Sequence, residues 1–178
     1  MSRSILNSNW ISLIAIFGLG VLSFTSCGSN NSETEEEKPL AHLLDRYLEP
    51  YPDELTALVD PAKSPEVIAA MEAYNAGRYE EAIGLFPNHA QSIEQAGYVQ
   101  LYKGISEILA GKEYDAFQTL QNIRSMMGKP FEVSNWYLVM NYVGFNNVFE
   151  ARRKLESIIE AEAYPTEKAK ALLNDLPE

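Results

Sequence analysis

The amino-acid sequence predicts an all-α fold: a short α-solenoid of three helical hairpins, with a capping segment before them and a closing helix after them. Two observations lead to this prediction. A pattern of small and apolar residues recurs after 34 residues and again after 35, and the apolar residues between the copies recur at helical spacing. The chain of 178 residues is also long enough to form one domain with a sizeable core.

The first element along the chain is an N-terminal segment of the secretory type. Arg3 precedes an apolar run over residues 10–24, and small or polar residues follow this run. A basic start, about fifteen apolar residues and a small-residue exit are typical of a signal peptide, whereas a membrane-spanning helix needs about 20 apolar residues. The sequence therefore predicts a signal peptide over residues 1–26. The alternative is an uncleaved N-terminal anchor in the inner membrane.

The only cysteine of the chain, Cys27, lies where this segment ends. The residues Phe24-Thr25-Ser26-Cys27 resemble the lipobox of bacterial lipoproteins, with phenylalanine in the place of the usual leucine. The resemblance implies that Cys27 is acylated, with palmitate as an expected chain, and that the protein is a lipoprotein of the cell envelope. The outer membrane, on its periplasmic or surface face, is the expected location. A free thiol in a leader segment is the alternative.

A short acidic segment separates Cys27 from the predicted fold. Residues 28–38 contain four glutamates and no aromatic or branched aliphatic side chain. Such a composition cannot bury apolar surface, so residues 27–38 are predicted to be the lipidated cysteine and a disordered tether.

Residues 39–63 are predicted to cap the repeats at their N-terminal side. A short amphipathic helix is expected first, and the sequence Pro50-Tyr51-Pro52 breaks it. Similar Pro-Tyr-Pro leaders precede short repeat arrays in other bacterial lipoproteins. The apolar face of this helix carries Leu40, Leu43, Leu44, Tyr47 and Leu48.

Residues 64–178 are predicted to hold the three hairpins and the closing helix. Gly77 and Gly111 end two apolar-periodic stretches, where glycine readily adopts the left-handed conformation that closes a helix. Asn146 takes this place in the third copy, since asparagine is the next most tolerant residue there. Alanines near the start of the following helices leave room for close helix packing. The repeat-signature residues are Gly77, Ala82, Gly111, Ala116, Asn146 and Ala151.

This pattern resembles the tetratricopeptide repeat over about residues 64–178. Lys103 and Glu107 depart from it, because the family has apolar residues at these two places of the second copy. The resemblance implies that the first helix of each hairpin lines a concave groove.

The side chains at the groove positions are unusually apolar. Aromatic and methionine side chains on a concave face are suited to holding an extended peptide or a partner helix. The chain's own residues 39–60 are an equally good occupant, and the sequence leaves both alternatives open. The groove residues are Met71, Tyr74, Tyr98, Leu101, Ile105, Ile108, Trp136 and Met140.

Composition and motifs argue against several classes of function. The 14 basic and 25 acidic residues give a net charge of −11, which lacks the basic footprint of a nucleic-acid-binding protein. A single cysteine excludes a disulfide framework and a zinc site of several thiolates. His42 and His89 have no partners at metal-ligand spacing, and no catalytic motif is present. We therefore expect no metal, no cofactor and no enzymatic activity.

The predicted function is protein–protein interaction without catalysis. The chain is expected to act as an adaptor or assembly factor of the bacterial cell envelope, attached to the membrane by its lipid and holding a protein or peptide partner of unknown identity. The alternative is a glycan- or peptidoglycan-binding lipoprotein in which Trp136, Tyr137 and Tyr142 serve as stacking platforms. A hydrolase with an unrecognised site is a third possibility.

Overall fold

The structure is a computed structural model that describes residues 40–88, 92–123 and 128–177. The predicted signal peptide, Cys27, the tether and His89 lie outside the described residues. The described residues form α-helices and one short 3-10 helix, with no strand among them. The prediction of an all-α fold is therefore confirmed for this part of the chain.

The helices follow one another with short connections. Within the described ranges they are α1 (Ala41–Tyr47), the 3-10 helix (Thr56–Leu58), α2 (Pro65–Asn75), α3 (Tyr79–Leu85), α4 (Ile93–Leu109), α5 (Glu113–Asn122), α6 (Lys129–Gly144), α7 (Val148–Glu160) and α8 (Thr166–Asp175).

Six of these helices pack as consecutive pairs, α2 with α3, α4 with α5 and α6 with α7. Turns over residues 76–78, 110–112 and 145–147 join the partners of each pair. Neighbouring pairs also pack on each other, since α3 contacts α4 and α5 contacts α6. Helix α8 covers α7, and α1 lies against α6 and α8.

The three turns have the same backbone geometry. Gly77 and Gly111 both have φ of +73°, and Asn146 has φ of +56°. In each turn the next backbone N–H donates to a carbonyl five residues earlier, which satisfies the last carbonyls of the helix. The left-handed conformation expected at these residues is therefore present. The three bonds are Arg78 to Ala73 at 2.9 Å, Lys112 to Glu107 at 2.7 Å and Asn147 to Tyr142 at 2.8 Å.

Small residues lie where the paired helices approach each other. Ala82, Ala116 and Ala151 are completely buried, one turn into the second helix of each pair. A Cβ built on Gly104 of α4 would lie only 2.6 Å from Leu120 Cδ2 of α5, so a larger residue at 104 would force these helices apart.

Helix α6 is the centre of the fold. It buries 11 of its 16 residues, whereas α7 buries three of 13. A helix that is buried on most of its faces must be enclosed by other elements, and α6 contacts α1, α4, α5 and α7. The residues around α6 therefore decide whether its predicted groove face is open to a partner.

Candidate functional site

The eight predicted groove residues lie on α2, α4 and α6, the first helices of the three pairs. All eight are buried, and none is more than 6% exposed. Side chains with so little exposure offer no surface to a partner in this conformation. The residues concerned are Met71, Tyr74, Tyr98, Leu101, Ile105, Ile108, Trp136 and Met140.

Residues 48–55 of the same chain, which we call the resident segment, lie against the first helices and contact Tyr74 and Tyr98 of the predicted groove. The chain leaves α1 in an extended conformation at Leu48 and continues without helix up to the 3-10 helix. Tyr51 and Leu55 point into the fold and are 4% and 0% exposed, while Pro50 and Pro52 are exposed. Of the two occupants considered from the sequence, the structure contains the chain's own segment.

Tyrosine hydroxyls from all three first helices hold the main chain of the resident segment. Tyr74 on α2 donates to the carbonyl of Tyr51 at 3.0 Å, and Tyr137 on α6 donates to the carbonyl of Glu49 at 2.8 Å. Tyr102 on α4 donates to the carbonyl of Pro52 at 2.5 Å and accepts the backbone N–H of Glu54 at 2.7 Å.

The phenol groups of the groove remain protonated donors at neutral pH. Burial raises the pKa of Tyr51, Tyr74, Tyr102 and Tyr137 above the ordinary value of 10.0. A protonated hydroxyl both donates and accepts, and Tyr102 uses both capacities on the resident segment. These phenols therefore act as hydrogen-bond donors and acceptors toward an extended backbone.

The side chain of Tyr51 completes an aromatic cluster in the groove. Its ring centroid lies 6.1 Å from that of Tyr102 and 5.7 Å from that of Tyr164, the latter in an edge-to-face arrangement. Tyr102 also packs edge-to-face on Tyr74 at 5.1 Å and stacks on Tyr98 at 6.3 Å. Such pairs contribute roughly 0.5–1.5 kcal/mol each beyond their burial, so Tyr51 is the main side-chain anchor of the segment.

A charged contact fixes the C-terminal half of the resident segment. The carboxylate of Glu54 forms an ion pair with Lys129 and accepts hydrogen bonds from Tyr98 at 3.0 Å and Tyr51 at 3.1 Å. Burial of Glu54 opposes its ionisation, but the bonds from Lys129, Tyr98 and Tyr51 outweigh this effect, so the pKa of Glu54 is lower than usual. Burial and the bond to Glu54 raise the pKa of Tyr98 to about 12.

The N-terminal side of the resident segment is fixed by the closing helix. Asp175 of α8 accepts hydrogen bonds from Arg46 at 2.6 Å and from Tyr47 at 2.7 Å, and Lys168 of α8 pairs with Glu49. The segment is therefore held at both ends, by α8 before Pro50 and by the start of α6 after Pro52.

A separate pocket of about 600 Å³ opens between α6 and α7. Phe131, Ile158 and Tyr164 contribute apolar surface to it, and Glu132 and Glu162 contribute carboxylates. Lys154 reaches across the pocket to Asn135 at 3.1 Å. The lining combines both charges with apolar rings and the hydroxyl of Ser157.

Two buried polar atoms of the described residues have no hydrogen-bond partner, Glu107 Oε2 and Asn141 Oδ1. Burial raises the pKa of Glu107, one of the two residues that depart from the repeat pattern. Asn141 donates through its amide to the carbonyl of Glu113 at 2.8 Å. Both residues join helices inside the fold.

The described residues contain no group of three His, Cys, Asp or Glu side chains placed to hold a metal ion. Among the helices in these ranges, none is both long enough and apolar enough to cross a bilayer. Trp136 and Tyr137, two of the three stacking platforms of the glycan alternative, are buried to 2% and 1% exposure and present no ring face to a sugar.

The structure assigns roles to residues that the sequence analysis did not single out. Tyr102 and Lys129 hold the resident segment, and Glu54 within it pairs with Lys129; none of these contacts was predicted from the sequence. The Pro-Tyr-Pro sequence was a usable signal for an extended segment. Its contact with Tyr102 joins residues 50 positions apart in the chain, and no local pattern encodes such a pairing.

Comparisons with known proteins do not place the chain in a family. No protein-family model matches it, and searches of the curated proteins and of the solved structures found no match. The described residues therefore establish the fold class, all-α, and no family.

Proposed function

We propose that this chain is a non-catalytic, membrane-anchored interaction module of the bacterial cell envelope. In this proposal the helix pairs are a three-hairpin solenoid of the tetratricopeptide type, and acylated Cys27 is the anchor in the outer membrane. The observation that carries the proposal is the bonding of groove tyrosines to backbone atoms of an extended segment. Because the groove holds main-chain atoms, an extended segment of another protein meets the same donors and acceptors.

The chemistry of the resident segment defines the partner that the groove suits. Prolines on both sides of Tyr51 favour an extended conformation with little entropy left to lose on binding. Tyr51 fills the aromatic cluster, and Glu54 meets Lys129 and Tyr98. The proposed ligand is therefore an extended, proline-containing peptide with an aromatic residue and, a few positions later, an acidic residue.

The resident segment competes with any such partner. It is part of the same chain, so its effective concentration at the groove is on the order of millimolar or higher. A partner's segment gains access when the resident segment is weakened or displaced. The module thus has a closed state, the one described above, and a partner-bound state in which another segment occupies the groove.

Peptide exchange tests this proposal. A fluorescent peptide with the sequence of residues 46–60 is titrated into the full chain and into Tyr51→Ala, with binding followed by anisotropy. Weakening the resident segment by 1.4 kcal/mol raises the apparent affinity about tenfold, so we expect Tyr51→Ala to bind the peptide at least tenfold more tightly than the unmodified chain.

The matched control for this experiment is Leu58→Ala, which changes an exposed residue just after the resident segment. It should bind the peptide as weakly as the unmodified chain. Pro52→Gly is a second, milder variant that loosens the segment and keeps Tyr51. If neither Tyr51→Ala nor Pro52→Gly binds the peptide while circular dichroism shows both folded, the groove is not an exchangeable peptide site.

The anchor is tested separately by growing cells with a fatty-acid probe. We expect the unmodified chain to take up the probe and Cys27→Ser to take up none. Equal labelling of the two proteins would contradict acylation at Cys27.

A further inference from the structure

Five aromatic side chains form a surface at one edge of the described fold, which we call the aromatic patch. Phe117 of α5 lies at its centre, with its ring centroid 5.7 Å from Tyr142 and 6.2 Å from Phe145, both edge-to-face. Tyr114, one turn before Phe117, is 70% exposed, and Phe149 in the first turn of α7 is 73% exposed.

Three rings of the patch are exposed, Tyr114, Phe145 and Phe149, and they surround Phe117 and Tyr142, which are partly buried against the core. Tyr114 and Phe117 are three residues apart and share a face of α5. Phe149 lies in the first turn of α7, directly after the turn over residues 145–147 that begins at Phe145. Large aromatic rings exposed next to each other, and not singly, mark a surface that contacts something else.

The N-terminal end of the described fold lies at the same edge. Tyr47 packs edge-to-face on Trp136 at 6.4 Å, and a Cβ built on Gly144 would lie 3.7 Å from Leu44 Cδ1. Helix α1 therefore runs antiparallel to α6, and its first residues lie at the end of α6 where Phe145 begins the turn.

The length of chain before this point limits the distance to the proposed anchor. Twelve residues, 28–39, connect Cys27 to Leu40. At about 3.3–3.6 Å per residue, the 13 steps from Cys27 to Leu40 span at most about 47 Å. The chain from Cys27 therefore joins the described fold at the edge that carries Phe145, and α4 begins at the opposite edge.

We infer that the aromatic patch lies against the surface of the phospholipid bilayer that holds the proposed Cys27 anchor. Phenylalanine and tyrosine rings are stabilised at the boundary between headgroups and acyl chains, with the tyrosine hydroxyl in the polar layer. The net charge of −11 favours a zwitterionic over an anionic bilayer surface. The inference rests on the proposed function, because the anchor supplies the high local concentration that lets a small patch bind.

Site-specific labelling tests the inference on the full, acylated chain. Phe149→Cys places one new thiol in the patch, and Ile93→Cys places one at the start of α4, the opposite end of a 17-residue helix that is about 25 Å long. Ile93 is 80% exposed and apolar, so it is a matched control. Each thiol is labelled with nitrobenzoxadiazole, and the protein is reconstituted into phosphatidylcholine vesicles containing a nitroxide-labelled phosphatidylcholine.

We expect the nitroxide lipid to quench the label at position 149 at least threefold more strongly than the label at position 93. Equal, weak quenching at both positions in protein that floats with the vesicles would overturn the inference. Energy transfer between labels at position 149 on different molecules, without quenching by lipid, would overturn it in favour of a second copy covering the patch. Tyr114→Cys repeats the measurement if Phe149→Cys does not fold.

The same experiment separates a failure of the inference from a failure of the anchor. Protein that does not float with the vesicles contradicts the proposed anchor, and the inference falls with it. Protein that floats without quenching at position 149 keeps the anchor and contradicts only the placement of the patch.

Discussion

The predicted groove and the aromatic patch are built from the same kinds of side chain, but the described fold buries the groove residues and leaves three rings of the patch exposed. In the groove, Tyr74, Tyr102 and Tyr137 are at most 2% exposed and each bonds the backbone of the resident segment. In the patch, Tyr114 and Phe149 are at least 70% exposed. An apolar stripe on a helix pair therefore indicates that something packs against it. The stripe does not tell whether that is the same chain, another protein or a membrane.

The two surfaces also differ in how they can be recognised. The groove offers hydroxyl groups at fixed positions and an ion pair at Glu54, so it selects an extended backbone with a particular pattern of side chains. The patch offers mainly exposed ring surface, so it suits a partner without fixed polar positions, such as a bilayer.

The largest expected effect is that of Tyr51→Ala on stability. Removing a buried aromatic side chain costs about 3–5 kcal/mol, and Tyr51 is the side-chain anchor of the resident segment. Urea unfolding should show a loss of about 3 kcal/mol. Tyr114→Ala in the patch is the matched control, with an expected loss below about 0.5 kcal/mol. Equal losses for the two variants would contradict the distinction between a filled groove and an open patch.

The hydroxyl groups should account for the next largest effect. Tyr137→Phe keeps the ring and removes the donor to the Glu49 carbonyl, and an unpaired buried acceptor costs about 1–3 kcal/mol. We expect a loss of about 1–2 kcal/mol in urea unfolding. Tyr114→Phe, which removes an exposed hydroxyl, should leave the free energy of unfolding within about 0.5 kcal/mol. A negligible loss in Tyr137→Phe would mean that main-chain bonding does not hold the segment.

The turns of the fold could be predicted from the sequence because their requirement is local. A left-handed residue must end each first helix, and glycine or asparagine at positions 77, 111 and 146 meets it within one turn of chain. Glu162 adopts the same conformation with φ of +49°, and the sequence did not reveal it, since glutamate has no preference for that region. At Glu162 the packing of α7 against α8 determines the backbone conformation.

The occupant of the groove could not be predicted for a different reason. Apolar residues recur on the first helices α2, α4 and α6 in the pattern expected of a partner-binding stripe, and Tyr74 is one of them. The same pattern results whether the bound segment belongs to the chain or to another protein. Only the long-range bonds to residues 49–54 distinguish the two, and these bonds are set by the whole fold.

The stability that the resident segment gives to the fold should depend on pH through the ionisation of Glu54. Its pKa is lowered in the folded chain from the ordinary value of 4.5, so its ionisation stabilises the fold above pH 4.5, and this contribution is lost as the pH falls through the lowered pKa. Glu54→Gln should reduce stability at pH 7 by at most about 1 kcal/mol, because Lys129 is half exposed and solvent screens the pair.

The measurement for Glu54 is a pair of thermal unfolding series between pH 7 and pH 3. We expect the difference in unfolding temperature between the unmodified chain and Glu54→Gln to shrink as the pH falls below 4.5. A difference that stays constant with pH would mean that the ionised carboxylate does not help to hold the segment.

The smallest expected effect concerns the patch itself. Phe149→Ser removes a ring that is 73% exposed, and exposed substitutions usually change stability by less than about 0.5 kcal/mol. We expect this variant to unfold in urea with a midpoint close to that of the unmodified chain. A loss above about 2 kcal/mol would show that the exposed ring stabilises the fold, as ring contacts do in the groove. The patch would then be part of the core, and the comparison with the groove would fail.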